Sequence, residues 1–114
     1  MKPISLSVKR AILKDDFYKA CCRCGADTVE WHHALQYGGS QLNEKFAIVP
    51  ACHACHLAVD TTPDAKDYFK FVAISRMPGD KKMRYERYNW NQEKKRIIEH
   101  YPDFQIKYNL YVKS

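Results

Sequence analysis

The stretch PACHACHLAVD, residues 50–60, places Cys52, His53, Cys55 and His56 within five positions, and Asp60 follows one helical turn after His56. Side chains this rich in metal-binding atoms raise a question of sharing: which of them serve one ion, and which a second. A Cys-x-x-Cys turn brings two sulfurs together, and a second such pair, Cys21 and Cys24, stands in CCRCGAD, residues 21–27. Two knuckles brought face to face make the closed tetrahedral thiolate cage of structural zinc. Gly25 supplies the positive φ that such a turn tends to need. Redox cysteines or unliganded buried thiols are the alternatives for these four. Cys22 has no place in a tetrahedral set and reads as a bystander. His53 lies between two proposed ligands and could replace one, but its loop position is one where histidine is often merely tolerated.

Working outward, the chain of 114 residues with 46% hydrophobic composition fits one domain with a modest core, residues 1–114. No apolar run approaches the ~20 residues needed to cross a bilayer, and MKPISLSVKR at the start has no signal-like apolar segment. The expectation is a cytoplasmic protein with no membrane partner. Five cysteines, an odd number, then suit metal or redox chemistry better than a closed disulfide set.

Charge is unevenly spread. The formal net charge is +6, yet residues 21–60 carry two basic and four acidic side chains, whereas residues 61–114 carry twelve basic and seven acidic ones. A slightly acidic centre between basic flanks suits a cation at the centre and a polyanion gripped from the sides. A solvated surface is the plainer explanation of the same charges.

Apolar spacing predicts an N-terminal helix over residues 7–20, with Val8, Ile12 and Tyr18 on one stripe. TVEWHHALQY, residues 28–37, is β-prone at its start, GGSQLNEK, residues 38–45, reads as a loop, and FAIVPA, residues 46–51, reads as a second strand, so a hairpin followed by a helix is expected. Downstream, Thr62 as N-cap and Pro63 at the first helical position start a helix that Pro78 and Gly79 stop. A further helix is expected from about Asp80 to Tyr101, with Met83, Trp90, Ile97 and Tyr101 on one stripe. The tail, residues 103–114, alternates weakly and suits a strand or no regular structure.

The order CCRCG, WHH, YGGS and FAIVPACHACH resembles the HNH nuclease family, whose core reads as a Cys-x-x-Cys knuckle, a His pair, a Gly-containing loop, and a strand leading into Cys-x-x-Cys-His. The match covers residues 21–60 and looks most like small phage and prophage proteins of that family. It implies an α+β fold: a single small domain with a ββα-metal core stapled by zinc and flanked by helices, including a basic helical extension over residues 61–114. It also implies roles. His32 and His56 would bind a catalytic divalent ion, and His33 would be the general base that activates water. Asp60, on the helical face of His56, occupies the position where colicin-type members place a further ligand; a solvated or turn-capping aspartate is the alternative. One departure stands out. The family's central asparagine falls at Ala47, so Asn43 or a backbone contact would have to brace the loop.

The function this implies is hydrolysis of DNA phosphodiester bonds by a metal-dependent endonuclease with one divalent ion, Mg²⁺ or alternatively Mn²⁺ or Ni²⁺, beside the structural Zn²⁺. DNA is the expected partner. Arg76, Arg84, Arg87, Lys94, Lys95 and Arg96 are candidates for backbone contacts, and Tyr85, Tyr88 and Trp90 for stacking, though helix packing explains the aromatic set more simply. The alternative function is a non-catalytic zinc-finger module that binds nucleic acid or protein. Strand alternation poses one condition: His32 and His33 point to opposite faces unless the strand ends there.

Overall fold

Glu30–His33 (β1) and Ile48–Ala51 (β4) pair antiparallel, with Glu30 opposite Ala51 and His33 opposite Ile48. The structure, a computed structural model, describes residues 4–112. It is an α+β arrangement in which a two-stranded hairpin feeds directly into the helix His53–Ala58 (α2). β4 is buried along its whole length, as its run of Ile, Val, Pro and Ala requires, whereas in β1 Glu30 is exposed and Trp31, His32 and His33 are half-buried. The connection between them is no plain loop. Gln36–Tyr37 (β2) and Ser40–Gln41 (β3) form a second small hairpin across Gly38 and Gly39, both at positive φ, as a two-residue turn of this kind demands.

Ala47, where the resemblance would place asparagine, is fully buried, and its carbonyl accepts the backbone N–H of Ala34 at 2.8 Å. A main-chain bond thus ties the two ends of the connection. A second, from Leu42 N–H to the Leu35 carbonyl at 3.0 Å, closes the smaller hairpin.

The central element is Pro63–Arg76 (α3), begun at Thr62 and Pro63 as the sequence implies. Tyr68, Phe69, Phe71, Val72, Ala73 and Ile74 are buried without remainder, so the C-terminal half of this helix is the centre against which other elements pack, while Lys66 and Lys70 keep one side of it polar. Phe69, Phe71, Val72 and Ile74 each contribute about 1.5–3 kcal/mol when withdrawn from water. Tyr68 also anchors the first Cys knuckle, its hydroxyl donating to the Cys22 carbonyl at 2.5 Å.

Four expectations are corrected. The helix expected over residues 7–20 is broken: Leu6–Leu13 (α1) ends, and a short 3₁₀ turn, Asp16–Lys19, follows. Asp15 causes the break by capping that turn through Phe17 N–H, while Lys45 and Arg76 hold its carboxylate at 2.9 and 3.2 Å. The helix expected over 80–101 is two, Gly79–Arg84 (α4) and Trp90–His100 (α5), the second capped by Asn89 through Gln92 N–H. Met83 leaves the supposed stripe and is 75% exposed. The tail is neither strand nor irregular: Phe104–Tyr111 (α6) is helical because Phe104 inserts between Tyr68 and Phe71, ring centres 5.1 and 6.1 Å away. Finally, residues 38–45 contain strand β3 instead of a simple loop. Among the described residues, no helix is long and apolar enough to cross a membrane.

Candidate metal centre and adjoining cleft

The first Cys knuckle is shaped by its own backbone. Cys21 N–H donates to the Ala26 carbonyl at 2.8 Å, Gly25 N–H to the Cys21 carbonyl at 2.9 Å, and Gly25 sits at φ 81°. A side chain there would be strained, and its Cβ would lie 3.1 Å from the Tyr111 ring. The second knuckle is the junction of β4 and α2, with Cys52 as helix N-cap and Cys55 one turn inside. Hairpin pairing brings the two knuckles together. The sulfurs of Cys21, Cys24, Cys52 and Cys55 all lie within 4.8 Å of one another, and those of Cys24 and Cys52 are 3.6 Å apart. A tetrahedron with metal–sulfur bonds of about 2.3 Å has edges of about 3.8 Å, so the donor set and spacing suit a metal such as zinc.

The protonation chemistry of the four is that of thiols crowded together. The Cys55 backbone N–H, aimed at the Cys52 sulfur, holds that thiol down at about 7. Burial pushes Cys55 up to about 12 and raises Cys24. A coordinated cation resolves the conflict, because it deprotonates thiols outright. Arg23 adds a donor: its guanidinium lies 3.5 Å from the Cys55 sulfur and 3.6 Å from Asp64. All five cysteines are free thiols, and Cys22, fully buried, stands outside the four-sulfur group.

On the other side of β1 lies a second group. β1 ends at His33, with Ala34 already bonded to Ala47, and both His32 and His33 line one cleft of about 980 Å³ with Asp60. The His32 ring lies against His56, centres 4.9 Å apart, and against Phe69 at 5.4 Å. Burial, reinforced by the charges of His56 and His33, holds His32 down at about 4, so it is a neutral imidazole at ordinary pH. His56 Nδ1 is 2.7 Å from one oxygen of Glu30, and His53 Nδ1 is 2.9 Å from the other. These contacts, the His56 bond first, hold the Glu30 carboxyl below the usual range. Nε2 of His33 is buried and makes no hydrogen bond among the described residues. His32 lies against His56 and shares the cleft lining with Asp60, which stands in the turn beyond the end of α2 and so off the helical face expected for it; among the described residues only the four cysteines draw together as a closed ligand group.

The expected DNA-contacting cations are dispersed. Arg96 lines the cleft and grips Glu93 at 2.6 Å. Arg76 is placed elsewhere, paired with Asp15 and stacked over Phe17 with its guanidinium 3.7 Å from the ring centre. Arg84 lies 5.7 Å from the Tyr85 ring and Arg87 5.3 Å from Tyr37. Lys94 leans 5.6 Å from Phe71, and its partial burial lowers its pKa, while Lys95 is exposed. Trp90 is a packing residue, 4% exposed, with its indole N–H on the Tyr85 carbonyl at 3.0 Å. Tyr85 is half-buried, its hydroxyl on Glu44.

Three cleft or site residues escape a motif reading. Glu30 was detectable, since it stands two positions before His32 on a strand and so shares its face. Lys66 and Lys70, which line the cleft from α3, had no local signal beyond an ordinary charged helix. Comparison of the chain with protein-family models, with curated proteins and with solved structures gives no match.

Proposed function

We propose that the protein is a metal-dependent DNA endonuclease of the HNH type, with a ββα-metal core formed by β1, β4 and α2. The observation that carries this reading is the joint placement of His32 and His33 at the end of β1 beside His56 of α2, along a cleft that Lys66, Lys70 and Arg96 line together with Asp60 and Glu93. In this reading Cys21, Cys24, Cys52 and Cys55 hold a structural Zn²⁺ that fixes the hairpin to the helix.

His32, His56 and Asp60 are the residues assigned to a catalytic divalent ion, Mg²⁺ or alternatively Mn²⁺ or Ni²⁺. Their chemistry fits: His32 is kept neutral by burial, and the Glu30 carboxylate, which can only accept, takes the hydrogen bond of His56 Nδ1–H, so that Nε2 is the nitrogen turned to an ion. Such an ion supplies charge stabilisation at the scissile phosphate and the departing 3′ oxygen. His33 then takes the proton of the attacking water. Because Nε2 is buried, the assignment goes to Nδ1. The bond formed is from water oxygen to phosphorus, the bond broken is from phosphorus to the 3′ oxygen, which takes its proton from solvent, and the products are a 5′-phosphate and a 3′-hydroxyl.

The competing reading is a non-catalytic zinc module. It draws support from one observation, the commitment of His56 to Glu30 outside the cleft lining. Incubating the protein with plasmid, linear and single-stranded DNA, with and without Mg²⁺, Mn²⁺ or Ni²⁺, tests the two. Metal-dependent cleavage supports the nuclease; a zinc-loaded protein inert toward every form with every ion leaves the module.

A further inference from the structure

The cleft beside His33 has two walls of different chemistry. Lys66 and Lys70 approach it from α3 and Arg96 from α5, while Tyr88 stands at the entry to α5. Tyr88 is 43% exposed, yet its ring is held edge-on against Tyr37 and Trp90, centres 5.4 Å away in each case. It is a preformed, accessible aromatic face beside a row of cations. Trp90 below it is core, and Tyr37 is braced by Arg87, so the platform does not depend on a ligand to order it.

We infer that this cleft binds an unpaired DNA strand, with Lys66 and Lys70 on its phosphates and Tyr88 stacked on a base next to the phosphate presented to His33. The aromatic face argues for a single strand: a base stacked on the ring of Tyr88 must be unpaired and turned out of a duplex. A flexible single strand of a few nucleotides can enter, and the combination of a cationic groove with an aromatic face is what sequence-tolerant single-strand binding requires. Lys66 makes no ion pair among the described residues, whereas Lys70 shares Glu93 with Arg96, so Lys66 is the cation most ready for a phosphate. The inference rests on the nuclease reading for which phosphate is cleaved, but the binding it describes stands without cleavage.

The test is fluorescence anisotropy of the full zinc-loaded chain with a labelled 12-nucleotide single strand, the corresponding duplex and the corresponding RNA, without added divalent ion. The single DNA strand is expected to bind at least tenfold tighter than the duplex. Tyr88→Ala should weaken single-strand binding by roughly 5- to 100-fold, and Tyr88→Trp should restore it, a pattern that loss of folding cannot produce. Lys66→Gln with Lys70→Gln should lower the slope of log affinity against log salt by roughly 0.7 per lysine. Equal or tighter duplex binding, unchanged single-strand affinity in folded Tyr88→Ala, or tighter binding to RNA would each overturn the proposal. A chain that binds the single strand through Tyr88 but cleaves nothing defeats the nuclease reading alone; one that cleaves and prefers duplex defeats this inference alone.

Discussion

Nδ1 of His56 lies 2.7 Å from Oε1 of Glu30, a bond from the middle of α2 to the first residue of β1. The same carboxylate reaches His53 with its other oxygen at 2.9 Å. Glu30 therefore fixes the rotation of the His56 ring and selects its tautomer, as an outer-shell carboxylate does for a metal-binding histidine. In the nuclease reading proposed above, it is a positioning residue for the second metal. Glu30→Ala should weaken binding of the second metal by about 10- to 100-fold without shifting the melting temperature, because Glu30 is exposed. Glu30→Gln, which still offers an oxygen acceptor, should recover part of that loss. Calorimetric titration with Mn²⁺ measures both, and unaltered affinity in Glu30→Ala would remove the assigned role.

Purified protein should carry one tightly held zinc per chain. Chelation should unfold the domain, since binding free energy at a four-thiolate site is folding free energy and its loss leaves four sulfurs crowded within 4.8 Å of one another. Cys52→Ala should show the same damage at lower chelator concentration. Elemental analysis with circular dichroism decides this, and a folded, reduced, zinc-free sample would refute the cage.

His33→Ala should leave zinc content, melting temperature and DNA affinity in place while cleavage falls by about 10²-fold or more, the usual scale for a lost general base. His56→Ala should lower affinity for the second metal, with activity returning in part at high metal concentration. Rates measured across a metal titration separate the two, and full activity in folded His33→Ala excludes it as the base.

Glu93 accepts from both Lys70 and Arg96 on one oxygen, at 3.1 and 2.6 Å, inside the cleft that is proposed to take phosphate. Those cations hold its carboxyl below the usual range, the Arg96 bond acting most strongly, so it is ionised at neutral pH. Glu93→Gln should free both cations and raise single-strand DNA affinity several-fold at low salt, with the gain fading as salt screens it. Weaker binding by this variant would mean that Glu93 orients the two cations instead of competing with DNA for them.

Asp15 links stability to pH. Its burial opposes ionisation, but bonding to Lys45 and Phe17 N–H, with the charge of Arg76, outweighs that and leaves its pKa below the usual aspartate value. A depressed folded-state value means the stabilisation is complete above the unfolded pKa of about 4 and is lost as pH falls through the folded one. Asp15→Asn should cost about 1–2 kcal/mol near pH 7, where it loses an ion pair and weakens a cap. The difference from wild type should close below pH 4. Urea melts of both proteins from pH 7 to 3 provide the measurement, and a gap that stays constant with pH would dismiss the Asp15 carboxylate as its source.

The sequence by itself determined the four-cysteine cluster, the hairpin before α2 and the start of α3. Each signal is local: a Cys-x-x-Cys turn with Gly25 at positive φ, and a Thr-Pro helix start, are set by a few neighbouring residues. Only the tertiary structure decided the rest. The helix expected over residues 7–20 breaks because Asp15 meets Lys45 and Arg76, 30 and 61 positions away. The tail becomes helical because Phe104 finds a slot between Tyr68 and Phe71. Arg76 and Arg96 are both basic residues in the last or middle turns of helices, yet one is consumed by Asp15 and Phe17 and the other lines the cleft. Which of two such charges faces a site depends on contacts between residues far apart in the chain, and periodicity within a helix carries no information about its neighbours.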